Sequence, residues 1–273
     1  GGIHVCGCGH SGTSILTRLI GAHSEIYALP GETGIAKKER YSIYRSNVEL
    51  FEQEAVRHNA SCWVEKTPKH VRNLRFILDC APDTKIILII RNPKDTIASL
   101  NRRYGSLSKS IRRWKFDNKR VMYWSTHPQC IAIQYENLIT RTESTLAQVM
   151  QFLGKTFESE QLNFHSQQVT WYKSTQNSPL DGDGTRLEDQ GSLVNTDLQL
   201  NGVLAMPEAI DESQYGSEVH HNTYRNYQIN QPLFNNIGNH RKYLTDAEID
   251  RISQTCGALA LAMCYDDIDA SSS

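Results

Sequence analysis

Two kinds of apolar run alternate along the chain. Short unbroken runs occur at Ile3–Cys6, Cys62–Val64, Lys85–Ile90 and Cys130–Gln134. Lys85–Ile90 shows no in-out alternation and is expected to be buried on both faces, as in a parallel sheet; Cys130–Gln134 reads as another buried strand, and the first two runs as short strand candidates. Between them lie stripes of helical spacing. Ile15, Leu16, Leu19 and Ile20 form one, and Val71, Leu74, Ile77 and Leu78 form a second. Leu146, Val149, Met150 and Leu153 form a third. A last helix is predicted from Thr245 to Met263, with Ile249, Ile252, Cys256 and Leu259 on its apolar face. Strand followed by helix, repeated, predicts an α/β fold with a central parallel sheet flanked by helices.

The helix after the Lys85–Ile90 strand has a clear start. Asn92 is placed as its N-cap, Pro93 as its first residue, and Asp95 in its first turn. The stretch from 175 to about 235 breaks the pattern. Between Asp181 and Glu218 it carries nine acidic residues and one basic residue, Arg186. It is read as an irregular acidic insertion, a lid or acceptor-binding segment within a single domain spanning residues 1–273.

Charge narrows the function classes. The 29 basic and 30 acidic residues leave a net charge of −1, which gives no global attraction to nucleic acid or to anionic lipid. Any anion site must be local. The seven cysteines include no CxxC pair, and reduced structural thiols in a cytoplasmic protein fit them better than a zinc site. No apolar run reaches the length of a membrane span. No leader is visible, although a chain that enters a strand at once leaves a preceding one open.

The segment Gly7-Cys-Gly-His-Ser-Gly-Thr-Ser14 follows a strand and opens a helix. That is the setting in which small residues let backbone N–H groups converge on a phosphate. Gly7 and Gly12 have the spacing of an ATPase loop, but Thr13 stands where its lysine would be. The strand at Lys85–Ile90 leads into Arg91 rather than an acidic magnesium ligand. The loop is expected to hold an anion without a metal. His220, His221 and His240 lack metal-ligand spacing and read as polar loop residues; His70 gives no signal.

These features resemble the sulfotransferases that use 3′-phosphoadenosine 5′-phosphosulfate (PAPS). In that family the 5′-phosphosulfate loop reads [KR]-S-G-T-[ST]; here it reads His10-Ser11-Gly12-Thr13-Ser14. The family's second signature is a strand ending in arginine with a serine eight residues on, and Arg91 and Ser99 match it. Three further segments are similar to the branch containing the tyrosylprotein and many bacterial enzymes: Pro30-Gly31-Glu32-Thr33, Glu65-Lys66-Thr67-Pro68 and Tyr135-Glu136-Asn137-Leu138. Gly238–Leu244 is similar to the turn that closes over the nucleotide. The resemblance covers residues 3–154 and 237–266.

The resemblance implies a three-layer fold like that of the P-loop proteins, PAPS as donor with 3′-phosphoadenosine 5′-phosphate (PAP) as product, and no metal. Gly9, His10, Ser11, Gly12, Thr13 and Ser14 would cradle the 5′ end, and Arg91 with Ser99 the 3′-phosphate. Tyr135, Arg241 and Lys242 would complete the nucleotide site. Glu32 would be the general base, while Lys66 and His10 would steady the transferred group. Histidine at position 10 departs from the family's Lys or Arg. The partner would be a small-molecule hydroxyl acceptor, with no nucleic acid and no membrane. The acidic insertion suggests a cationic acceptor, consistent with the sulfotransferases that finish cyanobacterial guanidinium toxins. A P-loop kinase and a non-catalytic nucleotide-binding protein remain as alternatives.

Overall fold

The computed structural model describes residues 1–172 and 225–265. Most of the acidic insertion, residues 175–224, lies outside these. Five strands form the sheet: β1 (Gly2–Gly7), β2 (Ile26–Ala28), β3 (Cys62–Lys66), β4 (Lys85–Ile90) and β5 (Cys130–Gln134). Their order is β2-β3-β1-β4-β5, and every neighbouring pair is parallel. The unbroken apolar runs are explained by this burial. Ile86, Leu88 and Ile90 enter the core on one face, and Ile87 and Ile89 enter the core on the other.

Helices cover both faces, giving three layers. Helices α1 (Thr13–Gly21), α6 (Tyr135–Thr140) and α7 (Thr142–Phe152) close one side. The other holds α2 (Tyr41–Arg57), α3 (Leu74–Cys80), α4 (Pro93–Tyr104), α5 (Leu107–Trp124) and α8 (Asp246–Ala262). Asn92 caps α4 as expected, its side chain accepting from Lys94 N at 2.9 Å. Thr245 and Glu248 form a reciprocal capping box at the start of α8. All seven cysteines are free. No helix among the described residues is long and apolar enough to cross a membrane.

The topology places the site. From β1 the chain moves to β2 and β3 on one side, then crosses to β4 and β5 on the other. The crevice lies between the carboxyl ends of β1 and β4, where ligands bind in open parallel sheets. The Gly7–Ser14 loop leaves β1 there, and Arg91 leaves β4.

Candidate active site

The loop after β1 is shaped by close approaches. A Cβ on Gly7 would lie 2.4 Å from the Ile89 carbonyl oxygen, and one on Gly12 would lie 2.5 Å from the Tyr135 ring. Gly12, at φ 95°, is the left-handed N-cap of α1. His10 also adopts a left-handed backbone, at φ 68°. For a non-glycine residue that conformation carries strain, of the kind that gathers at functional sites. The Ser11 Oγ is buried without a hydrogen-bond partner, a polar atom waiting for a ligand.

The two halves expected to hold the donor are joined directly. His10 Nδ1 and Ser99 Oγ share a hydrogen bond of 2.8 Å. Arg91 Nη1 donates to the His10 carbonyl at 3.2 Å, and Nη2 donates to the Asn236 carbonyl at 2.9 Å. The Arg91 guanidinium lies 4.3 Å from the Tyr135 ring centre, while its Nε is buried and unpartnered. Ser99 faces the crevice because it stands two turns into α4, after a start fixed by Asn92 and Pro93.

Asp95 does more than sit in the first turn of that helix. Its carboxylate accepts from Gly238 N at 2.8 Å, His240 N at 3.0 Å and His240 Nδ1 at 2.7 Å. Burial alone would raise its pKa, but these donors and Arg91 hold the carboxyl below its ordinary value. The turn at residues 238–242 is thereby pinned onto α4. His240 is buried, with Nε2 unpartnered, and lines the cavity; it is not an ordinary polar loop residue. Arg241 and Lys242 are exposed and do not line the cavity. Capture of His240 by Asp95 turns its two neighbours outward.

At the β3 side, Lys66 is fully buried. Its Nζ donates to Glu32 Oε1 at 3.1 Å and to the Tyr172 hydroxyl at 2.7 Å. Arg225 Nη2 also donates to Glu32 Oε1, at 2.6 Å. Tyr172 and Ser14 share a hydrogen bond of 3.0 Å between their hydroxyls, and the Arg225 guanidinium lies 3.6 Å from the Tyr172 ring centre. Asn226 holds this corner together by accepting from Tyr172 N and donating to Tyr172 O. Burial would raise the Glu32 carboxyl, but the Lys66 and Arg225 cations outweigh it and hold the group far below its ordinary value. The same two cations lower the Tyr172 phenol against the opposing effect of burial.

Behind this corner sits a second carboxylate, Glu65, fully buried. Its Oε1 accepts from His4 Nδ1 at 2.6 Å and His70 Nδ1 at 2.8 Å. Its Oε2 accepts from Thr33 Oγ1 at 2.7 Å and Thr67 Oγ1 at 2.9 Å. Thr67 Oγ1 in turn accepts from Gly34 N, and His70 Nε2 from Ala36 N. Thus the loop bearing Glu32 is tied to the end of β3 and the turn after it through Thr33, Gly34 and Ala36. Burial opposes ionisation of Glu65, yet its imidazole neighbours hold the group well below its ordinary value. The ligand atoms of His4, Glu65 and His70 lie within 4.8 Å of one another, close enough to suggest a metal. An ionised carboxylate only accepts, so both Nδ1 atoms carry protons and neither offers its lone pair. The cluster is built as a hydrogen-bonded hub.

One cavity of about 430 Å³ brings these parts together. Gly9, His10, Gly12, Thr13 and Ser14 line it, as do Arg91, Ser99, Tyr135 and Glu32. Lys66 stands just behind Glu32. Tyr172, Arg225, Asp95 and His240 were not predicted as site residues. Tyr172 and Arg225 flank a stretch without periodic signal, and the two act through contacts between residues far apart in sequence.

A family model described as the sulfotransferase family matches residues 34–159. Among solved structures, the chain is similar to mouse sulfotransferase SULT7A1 complexed with PAP, at TM-score 0.52 and 13% identity, covering 97% of this chain and 86% of that one. It also matches the sulfotransferase domain from the curacin biosynthetic pathway, at TM-score 0.47 and 16% identity, over 93% and 96% of the two chains. The sulfotransferase domain of the Synechococcus PCC 7002 olefin synthase matches at TM-score 0.48 and 15% identity, over 61% and 77%. No curated protein sequence matches. The family match covers residues 34–159, and the parallel sheet with helices on both faces is similar to the fold of the mouse sulfotransferase.

Proposed function

We propose that this chain is a sulfotransferase that moves the sulfuryl group of PAPS to a hydroxyl of a small molecule, with Glu32 as general base. The observation that carries the reading is the joining of two anion-binding elements in one cavity. The Gly9–Ser14 loop and the Arg91–Ser99 pair are linked through His10, and Glu32 lies on the same cavity wall. A nucleotide with phosphate at both its 5′ and 3′ positions matches that pairing. Ser11 Oγ, Arg91 Nε and His240 Nε2, all buried and unpartnered, fit a ligand rich in acceptor oxygens. The PAP in the mouse structure belongs to that protein and agrees with this reading.

PAPS supplies an activated sulfuryl group when bound. The residues of this chain position it, stabilise charge and take up a proton. The loop, His10 and Ser14 would hold the 5′ end, Arg91 and Ser99 the 3′-phosphate, and Tyr135 lies against Arg91. Lys66 would steady charge on the transferring oxygens. Glu32 is ionised, the form a base needs, but its two cationic partners weaken its grip on a proton. An anionic donor would compete for Lys66 and Arg225 and so raise the basicity of Glu32. Arg241 and Lys242 are assigned at most a peripheral part in binding the nucleotide, because both are exposed outside the cavity.

The free cysteines suit a reducing, cytoplasmic setting. The carboxylates behind the expected cationic acceptor lie at 181–218, outside the described residues. The described cavity wall is basic and gives that expectation no support. The testing experiment is mass spectrometry of a library of hydroxylated small molecules incubated with PAPS and the full chain. Products gaining one sulfuryl group are expected, and their absence with Glu32→Gln ties transfer to this cavity. No product together with no binding of PAP would overturn the proposal.

A further inference from the structure

We propose that the acceptor carries an anionic group, a carboxylate, phosphate or sulfate, and that Lys37, Lys69 and Arg113 form the subsite that holds it. The inference rests on the donor reading above and names the acceptor class for the same cavity.

Lys37, Lys69 and Arg113 come from three separate elements: the loop after β2, the 3-10 turn Pro68–Arg72 after β3, and α5. All three line the cavity that Glu32 lines. Lys37 is near enough to Glu32 to help depress its carboxyl. The Lys69 ammonium is lowered by partial burial and then by the neighbouring charges of Arg113 and Lys37. The fold thus gathers like charges on the cavity that Glu32 lines.

Among the described residues, these cations have little to neutralise them. Asp117 serves Arg72 through two hydrogen bonds of 2.7 and 3.2 Å, and lies 3.7 Å from Arg113 Nε. Arg113 is further oriented by a 2.8 Å hydrogen bond to the Tyr104 hydroxyl. Its guanidinium also abuts the loop, where a Cβ on Gly9 would lie 2.7 Å from Nη2. Among the described residues, neither the Lys37 nor the Lys69 ammonium has a hydrogen-bond or ion-pair partner.

Charge across the whole cavity points the same way. Seven Lys and Arg residues line it against two carboxylates, Glu32 and Asp95, and both carboxylates are already paired. Like charges gathered around one cavity are unfavourable until an anion joins them. Two ammonium groups and a guanidinium fork suit the oxygens of a carboxylate, phosphate or sulfate ester. An acceptor anchored there would present its hydroxyl toward Glu32, and cationic analogues would be repelled.

The test is calorimetric titration of inorganic phosphate into the PAP-saturated full chain, for wild type and the Lys37→Ala/Lys69→Ala double variant. Saturable phosphate binding is expected in wild type, weakened at least about tenfold in the variant, as loss of charge-assisted contacts predicts. PAP affinity should change by less than about twofold, because neither lysine belongs to the Gly9–Ser14 loop or the Arg91–Ser99 pair. No saturable phosphate binding to the PAP complex, or equal binding by both proteins, overturns the inference. A loss of PAP affinity as large as the loss of phosphate affinity assigns these cations to the donor and also overturns it. Failure of PAP to bind wild type at all is separately visible in the first titration; it removes the donor reading and this inference with it.

Discussion

Glu32 and Glu65 are two carboxylates around the end of one strand, and they are built for opposite purposes. Glu65 is fully buried and accepts from four uncharged donors: two imidazoles and two threonine hydroxyls. Each donor is fixed by its own backbone element, so nothing in the hub has reason to move. Glu32 lines the cavity and is held by two cations, Lys66 and Arg225. An anionic ligand can draw those partners away; it has no such hold on the Glu65 hub. Both carboxyls are held low, yet one ionisation fastens a loop while the other keeps the proposed base in its basic form. A pKa direction alone therefore does not separate structure from function; the partners do.

The largest expected effect separates the two by activity. Glu32→Gln should lower turnover by about 10²–10⁴-fold, the usual contribution of a general base, with the urea midpoint unchanged. Retained turnover would transfer the base role elsewhere. Glu65→Gln should do the reverse, costing about 2–4 kcal/mol of stability because buried donors lose their acceptor. That loss is read from urea unfolding. A Glu65→Gln protein as stable as wild type but inactive would erase the distinction.

Acid should act on the hub before it acts on the base. Burial lowers the His4 pKa below its ordinary 6.5, with Glu65 only partly opposing. The unfolded chain then takes up a proton that the folded chain refuses, so stability falls as pH drops below about 6.5. Glu65, also lowered, adds a further loss below its ordinary 4.5. Thermal unfolding from pH 8 to 4 should show this decline. Over the same range kcat/KM should show no acid limb assignable to Glu32 above about pH 4.5, since that carboxyl is lowered in the free enzyme. The smallest effect is expected at the rim: Arg241→Ala should alter PAP affinity by less than about twofold, as for other exposed charges.

What the sequence could disclose follows the same division. The strand at Lys85–Ile90 was legible because burial on both faces leaves an unbroken apolar run; the edge strand Cys130–Gln134 is half-buried but keeps a short apolar run, and the capped start of α4 was legible from Asn92 and Pro93 alone. Helices α2 and α5 left no clean stripe. Their buried faces include Asn47 and Glu54 in one, and Asp117 and Asn118 in the other. Strand β2 has three residues, too few for any period to emerge. The loop, Arg91, Ser99, Glu32 and Lys66 could be named because local motifs mark them, and they line or adjoin one cavity. Tyr172, Arg225 and His240 carry no local mark. They matter through partners far away in sequence, as His240 does through Asp95, and only the fold makes those pairs. Arg241 and Lys242 show the converse: motif position does not give side-chain direction, and both are exposed outside the cavity.

The central claim is that the loop after β1 and the arginine after β4 form one site for a nucleotide phosphorylated at both its 5′ and 3′ positions. The most direct measurement compares the affinities of PAP and 5′-AMP for wild type and Arg91→Ala. PAP should bind wild type at least about tenfold more tightly than 5′-AMP, as expected for one buried charge-assisted phosphate contact, and Arg91→Ala should remove most of that difference. Equal affinity for the two nucleotides in wild type, or a preference for PAP that survives Arg91→Ala intact, would contradict it.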